Sequence, residues 1–66
     1  MNVGQRMKEL RLDKGLTQQD LADKLGIDRS NYSKYELGKL ESNNAMLVSL
    51  SQIFGVSTDY LLGLEH

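Results

Sequence analysis

A chain of 66 residues with eight Lys and Arg, nine Asp and Glu and a formal net charge of -1 forms one domain that buries only about 60% of its unfolded surface. That argues against a deep catalytic cleft. With no Cys, neither a disulfide framework nor a thiolate zinc site supplements a core worth about 3 to 5 kcal/mol, so apolar packing must carry the fold. No apolar run approaches the ~20 residues that span a bilayer, and the N-terminus lacks the charged-then-apolar order of a signal peptide. The expectation is a soluble, cytoplasmic chain with no membrane partner.

Val3, Met7 and Leu10 recur at i, i+4 and i+7 among polar residues, the spacing of an amphipathic helix over residues 3–14. Lys14 suits the negative end of its dipole, and Gly15 is placed to take the left-handed conformation that ends it. Thr17 then caps a second helix. Thr17-Gln18-Gln19-Asp20 reads as a capping box with a short acid at its fourth position. Leu21, Ala22 and Leu25 form the inner stripe of this helix, and Asp20 and Lys24 are spaced to pair outside it.

Gly26 closes the second helix, Ile27 supplies an apolar turn residue, and Asp28 offers its carboxylate to the amides that open a third. At 100° per residue, Arg29, Ser30, Ser33, Lys34 and Leu37 fall within one arc of about 140°, with Tyr32 and Tyr35 opposite. The tyrosines face in and the arc faces out. Gly38 ends the third helix, and Lys39 to Asn43 form a polar loop whose last residue caps a fourth helix, Asn44 to Phe54. Its inner face is Met46, Leu47, Leu50, Ile53 and Phe54, and Gly55 stops it. Ser57 opens a short fifth helix, Thr58 to Leu62, ended by Gly63. The fold class is all-α, in five helices, with residues 1–63 as one domain. Leu64-Glu65-His66 matches the start of a vector-encoded histidine tag as well as it matches a natural tail.

The twenty residues Thr17 to Glu36 (TQQDLADKLGIDRSNYSKYE) thus read as two short helices joined by a tight turn. That is the pattern of a helix-turn-helix, whose second helix enters the DNA major groove. GLTQQDLADKLGI followed by DRSNYSKYELGK resembles the phage-repressor and Cro class of these domains, the XRE-like family. The opening Val3 to Leu10 and the closing FGVSTDYLLG are similar to that family's first and last helices, so the resemblance covers nearly the whole chain. It implies a compact, lambda-repressor-like five-helix fold.

By position, the resemblance implies that the third helix enters the major groove and that Gln18 meets the DNA backbone or a neighbouring base. Residue chemistry agrees: Arg29 has the bidentate geometry for guanine O6 and N7, Lys34 donates to the same atoms on an adjacent step, and Ser30 donates or accepts at either. Arg29, Ser30, Ser33 and Lys34 are the expected base contacts. Gln18, Gln19, Asn31, Lys39, Asn43 and Asn44 are the expected backbone contacts, the last two helped by free amides at the start of the fourth helix. Asn43 as a simple cap and Asn31 as an ordinary surface residue are the competing local readings. Arg11 and Glu36 stand where family members pair an arginine of the first helix with a glutamate ending the third. Their expected role is structural.

Three departures from the family pattern stand out. Ser42 occupies a place where proline is common, Leu37 one that is usually polar, and Glu41 puts a negative charge into a loop expected near phosphates. The net charge of -1 also runs against a DNA binder, since such domains are usually basic. DNA, however, senses the face presented to it within a Debye length of ~8 Å. Arg29, Lys34 and Lys39 on one side, with Glu9, Asp13, Asp23 and Asp59 elsewhere, favour DNA, whereas scattered signs favour a protein partner.

The expected function is a sequence-specific regulator of transcription, a repressor on a near-palindromic operator. It acts as a homodimer and needs no cofactor or metal. Val56, Tyr60 and Leu64 are candidates for the dimer contact, unless the core buries them. A C-terminal regulatory domain beyond this chain would supply dimerisation or ligand sensing. The alternative is a protein-interaction module of antitoxin or antirepressor type on the same fold. An enzyme is excluded by the lack of a paired nucleophile and base, a phosphate-cradling glycine loop and a metal-ligand cluster.

Overall fold

A computed structural model describes residues 2–64. Glu65 and His66, part of the tag reading, lie outside the described residues. The chain runs α1 (Val3–Asp13), α2 (Gln18–Leu25), α3 (Arg29–Glu36), α4 (Asn44–Phe54) and α5 (Thr58–Leu62), with no strand among the described residues. Each helix begins at a polar cap. The side chains of Asn2, Thr17, Asp28, Asn43 and Ser57 accept the amides of Gln5, Asp20, Asn31, Met46 and Tyr60 respectively. In α1 and α2 the bond is reciprocal: Gln5 accepts the Asn2 amide at 3.1 Å and Asp20 that of Thr17 at 2.9 Å.

The helices also end alike. An amide beyond the last turn returns to a carbonyl five residues earlier, Leu16 to Arg11, Ile27 to Ala22, Lys39 to Lys34, Val56 to Ser51 and Leu64 to Asp59. At Gly26 this reversal requires φ +73°, a region closed to most side chains, so glycine there makes the tight turn between α2 and α3. The first helix is one residue shorter than the spacing suggests: Lys14 is its cap, at φ -88°, ψ 0°, and Gly15 beyond it is left-handed. The third stops at Glu36, with Leu37 as cap and Gly38 left-handed.

The core is Met7, Leu21, Ala22, Tyr32, Leu47, Leu50, Phe54 and Leu61. Val3, Leu10, Leu25, Ile27, Tyr35, Met46, Ile53 and Val56 pack around it, half-buried. Helix α3 lies against α2 and α1, while α5 closes the other side against α4 and α1. The radius of gyration, 10.6 Å, is close to the ~11 Å expected for this length. Close approach of α1 to the end of α3 depends on Gly4, which is buried. A Cβ there would stand 2.6 Å from the Glu36 carbonyl oxygen and closer still to that of Tyr35.

Candidate nucleic-acid interface

The outward arc of α3 is present. Arg29, Ser30 and Lys34 are exposed, Ser33 is half-buried, and Tyr32 is fully buried beneath them. Tyr35 is half-buried. Lys39 follows directly, its amide held by the Lys34 carbonyl at 2.9 Å, and its side chain is exposed. Leu37, the last residue of the outward arc, is 66% exposed. Glu9 and Asp13 are on α1, Asp23 on α2 and Asp59 on α5, all exposed, so none of these four acids is carried by α3. Glu41 lines a groove with Asn2, Val3, Gly38, Leu40 and Leu62, beside α1 and α5. Asp28, also exposed, caps the start of α3.

What holds the arc in place is the buried pair on which α3 ends. Arg11 Nε donates to Glu36 Oε2 at 2.6 Å, Nη2 to Oε1 at 3.3 Å, and Nη1 to the Leu16 carbonyl at 2.9 Å. One guanidinium thus ties α1, the α1–α2 turn and α3 together, with both residues under 9% exposed. Gln18 joins the pair: its Nε2 donates to Glu36 Oε1 at 3.2 Å. Burial raises the Glu36 carboxyl pKa, but Arg11 above all, with Tyr32 and Gln18, outweighs this and leaves it below its ordinary value of 4.5. The hydrogen bond to Glu36 raises Arg11 further. Burial, then the Glu36 charge, drives the Tyr32 phenol well above its usual range. The phenol is near enough to feel Glu36, yet its oxygen meets no partner in hydrogen-bond geometry among the described residues.

Several expected backbone contacts have local partners. Gln18 is half-buried and bound to Glu36; Gln19 Nε2 donates to Asp23 Oδ1 at 2.8 Å. Asn31 Nδ2 donates to Asp28 Oδ2 at 3.2 Å, and Asn43 Oδ1 caps α4 by accepting the Met46 amide at 2.8 Å. Asn44 is exposed. Asp20 turns back to the Thr17 amide rather than along α2 to Lys24, which acts on it only through its charge. Residue spacing alone missed three features. These are the Asn2–Gln5 box, visible as N-x-x-Q before an apolar stripe, the tie from Gln18 to Glu36, and Arg6 stacked 4.2 Å over the ring of Tyr60. The last two join residues far apart in sequence. Among the described residues no cluster of His, Cys, Asp or Glu suits a metal ion, and no helix is long and apolar enough to cross a membrane.

Two short helices, a glycine turn and an exposed basic arc locked to the core by its last residue define a helix-turn-helix domain. The chain belongs to that family, the helix-turn-helix family HTH_3, which matches residues 7–61. It is 52% identical over 63 residues, 96% of this chain and 58% of the other, to YonR, an SPbeta prophage-derived HTH-type transcriptional regulator of Bacillus subtilis (strain 168). It is 44% identical over 66 residues, all of this chain and 52% of the other, to the HTH-type transcriptional regulator ImmR of the same organism. The chain therefore spans little more than half the length of these relatives. Among solved structures it resembles the P22 c2 repressor in complex with a synthetic operator, with a TM-score of 0.88 and 28% identity over 98% of each chain. The relatives it matches are named as HTH-type transcriptional regulators, and the solved structure is that of a repressor with its operator.

Proposed function

We propose that this domain is the operator-reading part of a transcriptional repressor of the cytoplasm, inserting α3 into the major groove. The observation that carries the reading is the exposed Arg29–Lys34 face, whose helix contributes one further charge, Glu36, already buried and neutralised by Arg11. Arg29 takes guanine O6 and N7; Lys34 takes an adjacent step, and Ser30 and Ser33 meet base edges between them. Lys39 and Asn44 have side chains free of the local bonds described above and hold phosphates. Gln18, Gln19, Asn31 and Asn43 join them through whatever donor capacity their intramolecular bonds leave. Occupancy of the operator blocks transcription sterically.

One such module buries about 600 to 1,000 Å² of protein surface, so useful affinity calls for two copies on half-sites ~34 Å apart. Val56 is half-buried against the core and Tyr60 lies under Arg6, which leaves Leu64, 63% exposed, as the remaining candidate of the three for contact between copies. The chain's share of its relatives' length leaves room for a C-terminal domain that strengthens dimerisation or senses a ligand. Selection of bound duplexes from a random pool tests the reading. It is expected to return a near-palindrome; recovery of unrelated sequences would transfer support to a protein partner of this surface.

A further inference from the structure

The first residues of α3 are joined to one another through a single carboxylate. Asp28 Oδ1 accepts the Ser30 hydroxyl proton at 2.6 Å and the Asn31 amide at 2.9 Å, while Oδ2 accepts Asn31 Nδ2 at 3.2 Å. A serine hydroxyl has one proton to give and lone pairs with which to accept. With that proton held by a carboxylate, Ser30 faces outward as an acceptor only. Asp28, itself exposed, is an acceptor by nature. Guanine presents O6 and N7 to the major groove and thymine presents O4, all acceptors, whereas the amino groups of cytosine N4 and adenine N6 are donors. Arg29, between the two residues in sequence, is donor only.

Resting on the operator reading above, we infer that Asp28 sets the specificity of Ser30. By holding the hydroxyl proton, the carboxylate makes Ser30 select a base bearing an exocyclic amino group, beside the guanine taken by Arg29. Asp28 is thus a positioning residue acting through Ser30, beyond its role as helix cap. The Ser30 bond is the largest of the influences holding the Asp28 carboxyl below its ordinary value, so the acceptor stays charged at neutral pH. Re-aiming the hydroxyl proton toward guanine or thymine breaks a charge-assisted bond, which is why the preference is one-sided.

The test uses the operator that the chain selects, with Ser30→Ala and Asp28→Thr variants confirmed folded by thermal melts; threonine retains an oxygen able to cap α3. The pair read by Ser30 is the one whose preference Ser30→Ala flattens. Replacing its amino-bearing base with the analogue that lacks only that group, purine for adenine or pyrimidin-2-one for cytosine, is expected to weaken wild-type binding about 2- to 10-fold. It should leave Ser30→Ala binding unchanged. Asp28→Thr, which no longer holds the proton on a charge, is expected to accept guanine or thymine at that position as readily as the amino-bearing base. An Asp28→Thr profile identical to wild type would reduce Asp28 to a cap and overturn the inference, as would a Ser30→Ala profile unaltered at every pair; Arg29 would still carry the operator reading. A wild-type chain that selects no sequence at all would instead sink the operator reading itself.

Discussion

Arg29 and Lys39 are both exposed cations ten positions apart, yet their expected roles differ because one sits on the outward arc and the other on the loop after it. Arg29→Ala is expected to lose ~1 to 3 kcal/mol of binding and relax selectivity at one base pair. Lys39→Ala should weaken all duplexes alike and lower the salt slope by about one. Titrations of each variant against the selected operator and single-base variants separate the two; a uniform loss in both would remove Arg29 from base reading. Gly4 matters for its lack of a side chain. Alanine improves helix propensity at most positions, but here its Cβ meets the carbonyls that end α3. Gly4→Ala is expected to destabilise by about 1 to 3 kcal/mol in urea unfolding, the range for overpacking.

At the scale of the element, α3 is eight residues long, too short to persist alone in water. Its position comes from a cap at one end and a buried ion pair at the other. Arg11→Ala leaves Glu36 uncompensated and is expected to cost ~3 to 5 kcal/mol, whereas replacing both partners by well-packed apolar residues should cost far less. Chemical denaturation of the single and double variants distinguishes loss of a pair from exposure of a lone charge. The pH dependence follows from the depressed Glu36 carboxyl. Its stabilisation is complete above the ordinary value of 4.5 and is lost as pH falls through the lower folded-state value, because the unfolded chain then binds the proton first. Asp20, whose carboxyl the Thr17 amide lowers, and Asp28 add losses of the same sign. Glu36→Gln is therefore expected to lower stability at neutral pH and flatten its decline below pH 4.5; melting temperatures across that interval measure both.

For the whole molecule, the decisive quantity is the arrangement of charge and not its sum. A chain of net charge -1 is expected to bind its operator with affinity that falls steeply with salt, the logarithmic slope being about -0.9 per phosphate neutralised. A flat salt dependence in fluorescence anisotropy would favour a protein partner for this surface. If two copies bind, separating the half-sites by half a helical turn should abolish joint occupancy while leaving single-site binding intact. Electrophoretic mobility of the complexes on such spaced operators reads this directly.

The five helices were legible because each is punctuated locally. Thr17, Asp28, Asn43 and Ser57 act as caps within three residues of their partners, and glycines follow the ends, so no distant residue need be known. Apolar spacing likewise identified the faces of Met7, Leu21 and Leu50, and the basic arc followed from helical periodicity alone. Residue spacing could not show that Gln18 turns to Glu36, that Gly4 is a point of helix contact, or that Arg6 stacks on Tyr60, because each depends on how far apart two helices pack. Arg11 and Glu36, 25 positions apart, were paired by family resemblance and not by spacing. Sequence by itself determined the elements and their faces, since those arise from interactions over three to five residues. Only the tertiary structure decided which polar groups remain available to a partner, since a side chain's donors and acceptors are committed by whatever the fold brings beside them.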